Sequence, residues 1–112
     1  MANKYHARKT KIDNYVFDSQ REAERYAELK LMESANEICA LKVHPTFLLQ
    51  EGFLYHGKYI RPIIYIADFQ YMKDGKFIVE DIKGIETQAF RIKWKMLLFA
   101  NINENIEFRI VK

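Results

Sequence analysis

Residues 63–83 read Ile-Ile-Tyr-Ile-Ala-Asp-Phe-Gln-Tyr-Met-Lys-Asp-Gly-Lys-Phe-Ile-Val-Glu-Asp-Ile-Lys. Two runs rich in β-branched and aromatic residues flank the dipeptide Asp74-Gly75. This dipeptide readily adopts the positive φ angles that a tight primed turn requires. The stretch therefore predicts an antiparallel hairpin, and the rest of the chain is expected to be arranged around it.

The length of the turn determines which residues face each other across the hairpin. With a two-residue loop, Lys73 faces Lys76, and counting back along both strands places Asp68 directly opposite Asp81. Because alternate side chains of a strand share a face, Lys83 points to the same side as Asp81. A loop that is one residue longer would shift the register and turn one aspartate to the solvent. The spacing allows both arrangements.

Two directly opposed carboxylates need a partner that neutralises them. Directly opposed residues have Cβ atoms about 4.5–5.5 Å apart, and like charges at that distance are destabilising. Partial burial among apolar neighbours such as Ile64 and Val79 would increase the repulsion. A hard divalent cation such as Mg²⁺ is often held by one or two carboxylates. The two-residue turn therefore predicts a metal site between Asp68 and Asp81.

Composition predicts one domain over residues 1–112. The chain is 49% hydrophobic and 14% aromatic, which is enough for a hydrophobic core. Its one cysteine, Cys39, allows no intramolecular disulfide framework, and its apolar neighbours predict burial. The sequence has no apolar signal region and no apolar run of membrane-spanning length. We therefore expect a soluble, cytoplasmic protein with no membrane partner.

Basic residues gather in two regions, although the net charge is only +3. One is an arm over residues 1–11, expected to be flexible, and the other follows the hairpin. The candidate nucleic-acid-binding residues are Lys4, Arg8, Lys9, Lys11, Arg91, Lys93 and Lys95. Both regions suit a polyanionic partner, but basic tails and solvated basic faces are also common in proteins that bind no nucleic acid.

The remaining pattern predicts two helices and further strands. Ser19 and Glu22 have capping-box spacing, which predicts a helix from about Gln20 to Glu33. Its predicted apolar stripe is Ala23, Tyr26, Ala27 and Leu31. Glu22 and Glu24 flank that stripe, and either could reach inward. The cap also explains Glu22 without a further role, and Glu24 could instead be an exposed charge.

A second helix is predicted from Thr87 to about Ala100, with Phe90, Trp94, Leu97 and Leu98 as its apolar stripe. The alternating residues 106–111 predict a final strand, parallel to the hairpin strand before the helix. With a strand at 46–50, the order is α-β-β-β-α-β, which is an α/β fold with a central mixed sheet and flanking helices. The histidines His6, His44 and His56 lack zinc-ligand spacing and are expected to be surface or structural residues.

An acid on a first helix, an aspartate on a strand and Asp-x-Lys on the next strand resemble the PD-(D/E)xK nuclease superfamily. Here these are Glu22 or Glu24, then Asp68, then Asp81-Ile82-Lys83. Residues 17–24, 65–69 and 80–84 are similar to a family of small phage proteins placed in that superfamily. The resemblance runs from about residue 4 to 111, with Ala67 where the motif's name has proline.

The resemblance implies a restriction-endonuclease-like fold and a DNA endonuclease that depends on Mg²⁺ or Mn²⁺. Asp68, Asp81 and the Ile82 carbonyl would ligate the ion, and the helix glutamate would complete the site. Lys83 would orient, or help deprotonate, the attacking water. Some relatives are homodimeric junction resolvases, which implies branched DNA, phage recombination and the bacterial host cytoplasm. The alternative is a non-catalytic nucleic-acid-binding module that retains the fold.

Overall fold

A computed structural model describes residues 9–112. In that range the chain forms ten strands and two helices, numbered in chain order. The strands are β1 (Thr10–Ile12), β2 (Tyr15–Phe17), β3 (Cys39–Val43), β4 (Thr46–Gln50), β5 (Phe53–Tyr55), β6 (Lys58–Ile60), β7 (Ile63–Ile66), β8 (Phe69–Lys73), β9 (Lys76–Ile82) and β10 (Ile106–Val111). The helices are α1 (Gln20–Ser34) and α2 (Gln88–Ala100).

The central sheet has the strand order β10-β9-β8-β3. Strand β10 runs parallel to β9, whereas the other neighbouring strands are antiparallel. The remaining strands pair as the two-stranded sheets β1-β2, β4-β7 and β5-β6. The prediction of a mixed α/β fold is confirmed, and so is the parallel return of the last strand.

The predicted hairpin is β8-β9, and its register is the one that the two-residue turn requires. Lys73 pairs with Lys76, and the ladder runs regularly to the pair Phe69 and Glu80. Asp74 and Gly75 have φ angles of 52° and 76°. The longer loop is therefore excluded, and residue 68 lies just beyond the paired end of the hairpin, opposite residue 81.

The predicted strand before the turn divides at Ala67 and Asp68. Residues before the break pair with β4, and those after it pair with β3 and β9. The Ala67 N–H donates to the Pro45 carbonyl (3.0 Å), and the Asp68 carbonyl accepts from the His44 N–H (2.9 Å). A proline at position 67 could not donate the first of these bonds. The chain thus passes from an outer ribbon into the central sheet at this point.

Each face of the central sheet packs against one helix. Successive side chains of β9 point to opposite faces of the sheet, so alternate residues of this strand pack into the two cores. The core on the α1 face consists of Phe17, Ala23, Tyr26, Leu29, Ile38, Phe69, Tyr71, Ile78 and Ile82. The core on the α2 face consists of Tyr65, Ala67, Val79, Phe90 and Leu97. The helices therefore flank the sheet as predicted.

A buried ion pair fixes α1 to β9. The Glu80 side chain is 0% exposed and accepts hydrogen bonds from Arg25 Nε (2.8 Å) and Arg25 Nη2 (2.7 Å). The Tyr71 hydroxyl donates a third bond to Glu80 (2.5 Å). Burial acts to raise the pKa of Glu80, but the bonds from Arg25 and Tyr71 outweigh it, so the pKa is lowered. Glu80 is therefore an ionised, fully partnered structural acid.

Several sequence expectations are wrong in detail. The order α-β-β-β-α-β omits β1, β2, β3 and the hairpin β5-β6. Thr10 and Lys11 of the expected flexible arm lie in β1, which pairs with β2. Cys39, predicted to be buried, is exposed at the start of β3. Of the predicted apolar stripes, Ala27, Leu31 and Leu98 are exposed, since each helix turns a narrower face to its core. No helix in the described residues is long and apolar enough to span a membrane.

Glu80→Gln should destabilise the protein by about 3 kcal/mol, because it leaves the Arg25 guanidinium without its buried partner. Glu28 also pairs with Arg25 (3.1 Å), but its side chain is 55% exposed. Glu28→Gln is therefore the matched control, with an expected loss below about 1 kcal/mol. Urea unfolding of the three proteins measures both effects. Equal losses for the two variants would contradict the assigned role of Glu80.

Candidate metal-dependent active site

A cavity of about 380 Å³ lies where β8 begins and β9 ends. Residues from α1, from the β3-β4 connection and from both strands of the hairpin approach one another at this end of the sheet. The cavity is lined by Val16, Asp18, Glu22, His44, Ile66, Ala67, Asp68, Asp81 and Lys83. The fold thus brings together four of the residues that the sequence nominates for the site.

The first turn of α1 carries Glu22 into this cavity. Ser19 is the N-cap, and its hydroxyl oxygen accepts from the Glu22 N–H (3.1 Å) while its O–H donates to the Glu22 carboxylate (3.3 Å). Glu24 is exposed and does not line the cavity. Glu22 is therefore the helix acid that faces Asp68, and the two-residue separation turns Glu24 to the solvent.

The two aspartates face the cavity from neighbouring strands. The Asp68 carboxylate accepts from the Ile82 N–H (2.6 Å), so it takes the place of a main-chain partner at the end of the ladder. Asp81 is 2% exposed, and its Oδ2 accepts a hydrogen bond from the Tyr65 hydroxyl. Both carboxylates are therefore held in place by their neighbours.

Lys83 is the cation nearest to the buried aspartate. Its Nζ lies 4.0 Å from Asp81 Oδ1 and 4.8 Å from the centroid of the Phe90 ring. The Lys83 N–H donates to the Val111 carbonyl (2.9 Å), which ties its main chain to β10. The ammonium group is thus held between a carboxylate and an aromatic face, with room in the cavity beside it.

The pKa values of three acids that line the cavity are raised, chiefly by burial. Burial, together with Asp68 and Asp18, raises the pKa of Glu22 to about 7. Burial also raises the pKa of Asp68. Burial and the charge of Glu22 raise the pKa of Asp81 to about 6, although Lys83 opposes the change. Bringing in a cation would relieve this repulsion and favour the ionised forms.

His44 lies in the same cavity, so the expectation that it is merely a surface or structural residue is incomplete. One ligand atom from each of Glu22, His44 and Asp68 lies within 4.8 Å of the other two. Sequence spacing could not reveal this group, because its members come from a helix, a connection and a strand start. The only hint is the His-Pro dipeptide between two strands.

Of the predicted nucleic-acid-binding residues, Lys93 is the one that the described structure brings to the site. A second cavity of about 370 Å³ adjoins the first through Ile66, Asp81 and Lys83, and Lys93 lines it. Other predicted basic residues are exposed elsewhere on the surface, namely Lys9, Lys11, Arg91 and Lys95. Lys4 and Arg8 lie outside the described residues, as does most of the predicted arm.

These features define an α/β protein with an acidic, lysine-containing cavity at one end of a mixed sheet. The family model described as "Protein of unknown function (DUF1064)" matches residues 2–112, and the chain belongs to that family. No curated protein matches the sequence.

Without metal, the protein should lose stability as the pH rises from about 4.5 to about 7. A carboxyl whose pKa is raised on folding stabilises the folded state while it is protonated, below its ordinary pKa of 4.5, and this stabilisation is lost as the pH rises through about 7. After allowance for solvent screening, the part due to Glu22 is about 1–2 kcal/mol.

Unfolding in EDTA across this pH range measures the effect. Glu22→Gln should reduce the pH dependence, because it removes one of the three acids whose pKa values are raised. Glu24→Gln is the matched control on the same helix and should leave the slope unchanged. If both variants keep the wild-type dependence of the unfolding free energy on pH, the pKa of Glu22 is not raised in the folded protein.

Proposed function

We propose that the protein is a divalent-metal-dependent DNA endonuclease with a restriction-endonuclease-like fold of the PD-(D/E)xK superfamily. The observation that carries the proposal is that Glu22, Asp68, Asp81 and Lys83 line one cavity. A decayed site would be expected to have lost at least one of these groups. Their presence together favours hydrolysis over the alternative of a non-catalytic nucleic-acid-binding module.

The donor set fits Mg²⁺ or Mn²⁺. Asp68, Asp81, Glu22 and the Ile82 carbonyl would supply hard oxygen ligands. The pKa values of the three acids are raised chiefly by burial, and a bound cation would offset that effect by stabilising the ionised forms. When bound, such an ion lowers the pKa of a water ligand and polarises the phosphoryl oxygen. The hydrogen bond from Tyr65 leaves the second oxygen of Asp81 free to act as a ligand.

Hydrolysis forms a bond between a water oxygen and phosphorus and breaks the bond from phosphorus to a sugar oxygen. Lys83 would orient, or help deprotonate, the water and would stabilise the negative charge that develops on the phosphate. Its distance of 4.0 Å from Asp81 leaves Nζ able to turn toward a substrate. Asp81 and the Phe90 ring keep the ammonium group close to the cavity.

DNA is the proposed substrate because the acidic centre has basic residues beside it. Lys93 shares a cavity with Asp81 and Lys83, at a position where it could bind a phosphate next to the scissile one. Selectivity for branched or structured DNA, and a role in phage recombination within a bacterial host, stay predictions from the resemblance.

Cleavage of plasmid and four-way-junction DNA with Mg²⁺ or Mn²⁺ tests the proposal. Asp81→Asn removes a ligand charge and Lys83→Ala removes the ammonium group, so each should lower the rate by at least about 100-fold. Glu24→Gln is the control and should cleave like the wild type. Cleavage that survives Asp81→Asn would contradict the assigned site. Wild-type DNA binding without cleavage would instead favour the non-catalytic module.

We also propose that the protein acts as a homodimer. One face of the β4-β7 ribbon is apolar and exposed: Leu48 pairs with Ile64, and their side chains are 54% and 40% exposed. Sedimentation should give a mass of twice the 13.4 kDa of the chain. Leu48→Glu should shift the protein toward the monomer, because it puts a charge on that face. A wild-type mass of one chain at micromolar concentration would contradict the dimer.

A further inference from the structure

We propose that His44 is a metal ligand, and that with Glu22 and Asp68 it forms a site that selects Mn²⁺, or a similar transition ion, over Mg²⁺. This inference rests on the proposed metal-dependent function, because it shares Glu22 and Asp68 with that centre. It goes further by adding a nitrogen donor and by specifying the class of ion.

The geometry is close to that of a chelate. One ligand atom from each of Glu22, His44 and Asp68 lies within 4.8 Å of the other two. Three ligand atoms evenly spaced around one ion at about 2.2 Å lie about 3.8 Å from one another. Side-chain movements of up to about 0.6 Å would therefore bring the three groups onto a common ion.

The fold holds the imidazole where it can serve as a ligand. His44 lies between β3 and β4. Its main-chain N–H donates to the main-chain carbonyl of Asp68 (2.9 Å), so a backbone hydrogen bond joins two of the three ligand residues. Its φ angle of 56° lies in the left-handed region, which histidine, like asparagine and aspartate, adopts more often than most residues other than glycine. Buried Pro45 follows and limits movement of the connection.

The neighbouring acid does not belong to this set. Asp81 is not one of the three residues whose ligand atoms lie within 4.8 Å of one another. Glu22 and Asp68 are thus shared by two groups of donors, one made only of oxygens and one that includes the nitrogen of His44. The donors that include His44 are expected to discriminate between Mn²⁺ and Mg²⁺, whereas the all-oxygen donors should bind the two ions with more similar affinity.

The nitrogen donor determines the metal preference. Mg²⁺ is a hard ion that binds oxygen ligands and keeps several waters. Imidazole nitrogen is a ligand for first-row transition ions rather than for Mg²⁺; Mn²⁺ is the member of that series that also accepts carboxylate oxygens, so a mixed oxygen and nitrogen site suits it. A site with two carboxylates and one imidazole should therefore favour Mn²⁺ over Mg²⁺, whereas an all-oxygen site should discriminate less.

Titration calorimetry with Mn²⁺ and Mg²⁺ separately tests the inference on the metal-free protein. The wild type should bind Mn²⁺ at least about tenfold more tightly than Mg²⁺. His44→Asn keeps a residue that tolerates the positive φ angle, and it should weaken Mn²⁺ binding about 10- to 100-fold while changing Mg²⁺ binding less than about threefold. His56 also has a positive φ angle, 50°, but is exposed at the β5-β6 turn, so His56→Asn is the matched control and should bind as the wild type does.

A spectroscopic measurement on the wild type makes the test independent of any variant's folding. Pulsed electron paramagnetic resonance of the Mn²⁺ complex should detect coupling to a nitrogen nucleus. Absence of that coupling, or equal Mn²⁺ affinity in the wild type and His44→Asn, would overturn the role of His44 while leaving an all-oxygen metal centre and the proposed nuclease intact. If the wild type binds neither ion and does not cleave DNA, both this inference and the proposed function fail.

Discussion

The ion pair between Arg25 and Glu80 is the contact on which the geometry of the cavity depends. Glu80 is fully buried in the central strand β9, and the Arg25 guanidinium binds both of its oxygens from α1. Because Arg25 lies one helical turn after Glu22, the same contact that anchors the helix sets the position of Glu22 at the sheet end. A polar contact inside the core thus fixes the distance between an acid on a helix and acids on the strands.

The adjacent acids Glu80 and Asp81 of β9 have different roles. Glu80 forms a structural ion pair in the core, whereas Asp81 faces the cavity, where it could bind a ligand. Alternation points them to opposite faces of the sheet. Glu80 meets an arginine and a tyrosine, and its pKa is lowered. Asp81 meets a tyrosine and a more distant lysine, and its pKa is raised to about 6. Arg25 and Tyr71 outweigh the burial of Glu80 and keep it ionised, whereas Lys83 only partly offsets the burial of Asp81, so a bound cation would further stabilise the ionised form of Asp81.

Local chemistry explains which parts of this arrangement can be predicted from the sequence. Asp74-Gly75 and Ser19 act through the main chain next to them, so the hairpin register and the start of α1 follow from the residues. The same reasoning overlooked His56-Gly57, a turn with φ angles of 50° and 77° that joins β5 to β6. The contacts between Arg25 and Glu80 and between His44 and Asp68 depend on how separate elements pack, so no spacing pattern in the sequence predicts them. The family match does not specify the chemistry, so the proposal of nuclease activity rests on the cavity and on the resemblance.

The most direct test of the account is a crystal structure of the wild-type protein soaked in Mn²⁺, with anomalous scattering used to locate the ion. The central claim is that the acids are brought together to hold a cation. It predicts an anomalous peak inside the cavity, about 2.0–2.6 Å from an oxygen of Asp68 and from an oxygen of Glu22 or Asp81. A cavity with ordered carboxylates and no peak, with Lys83 alone balancing them, would contradict the claim.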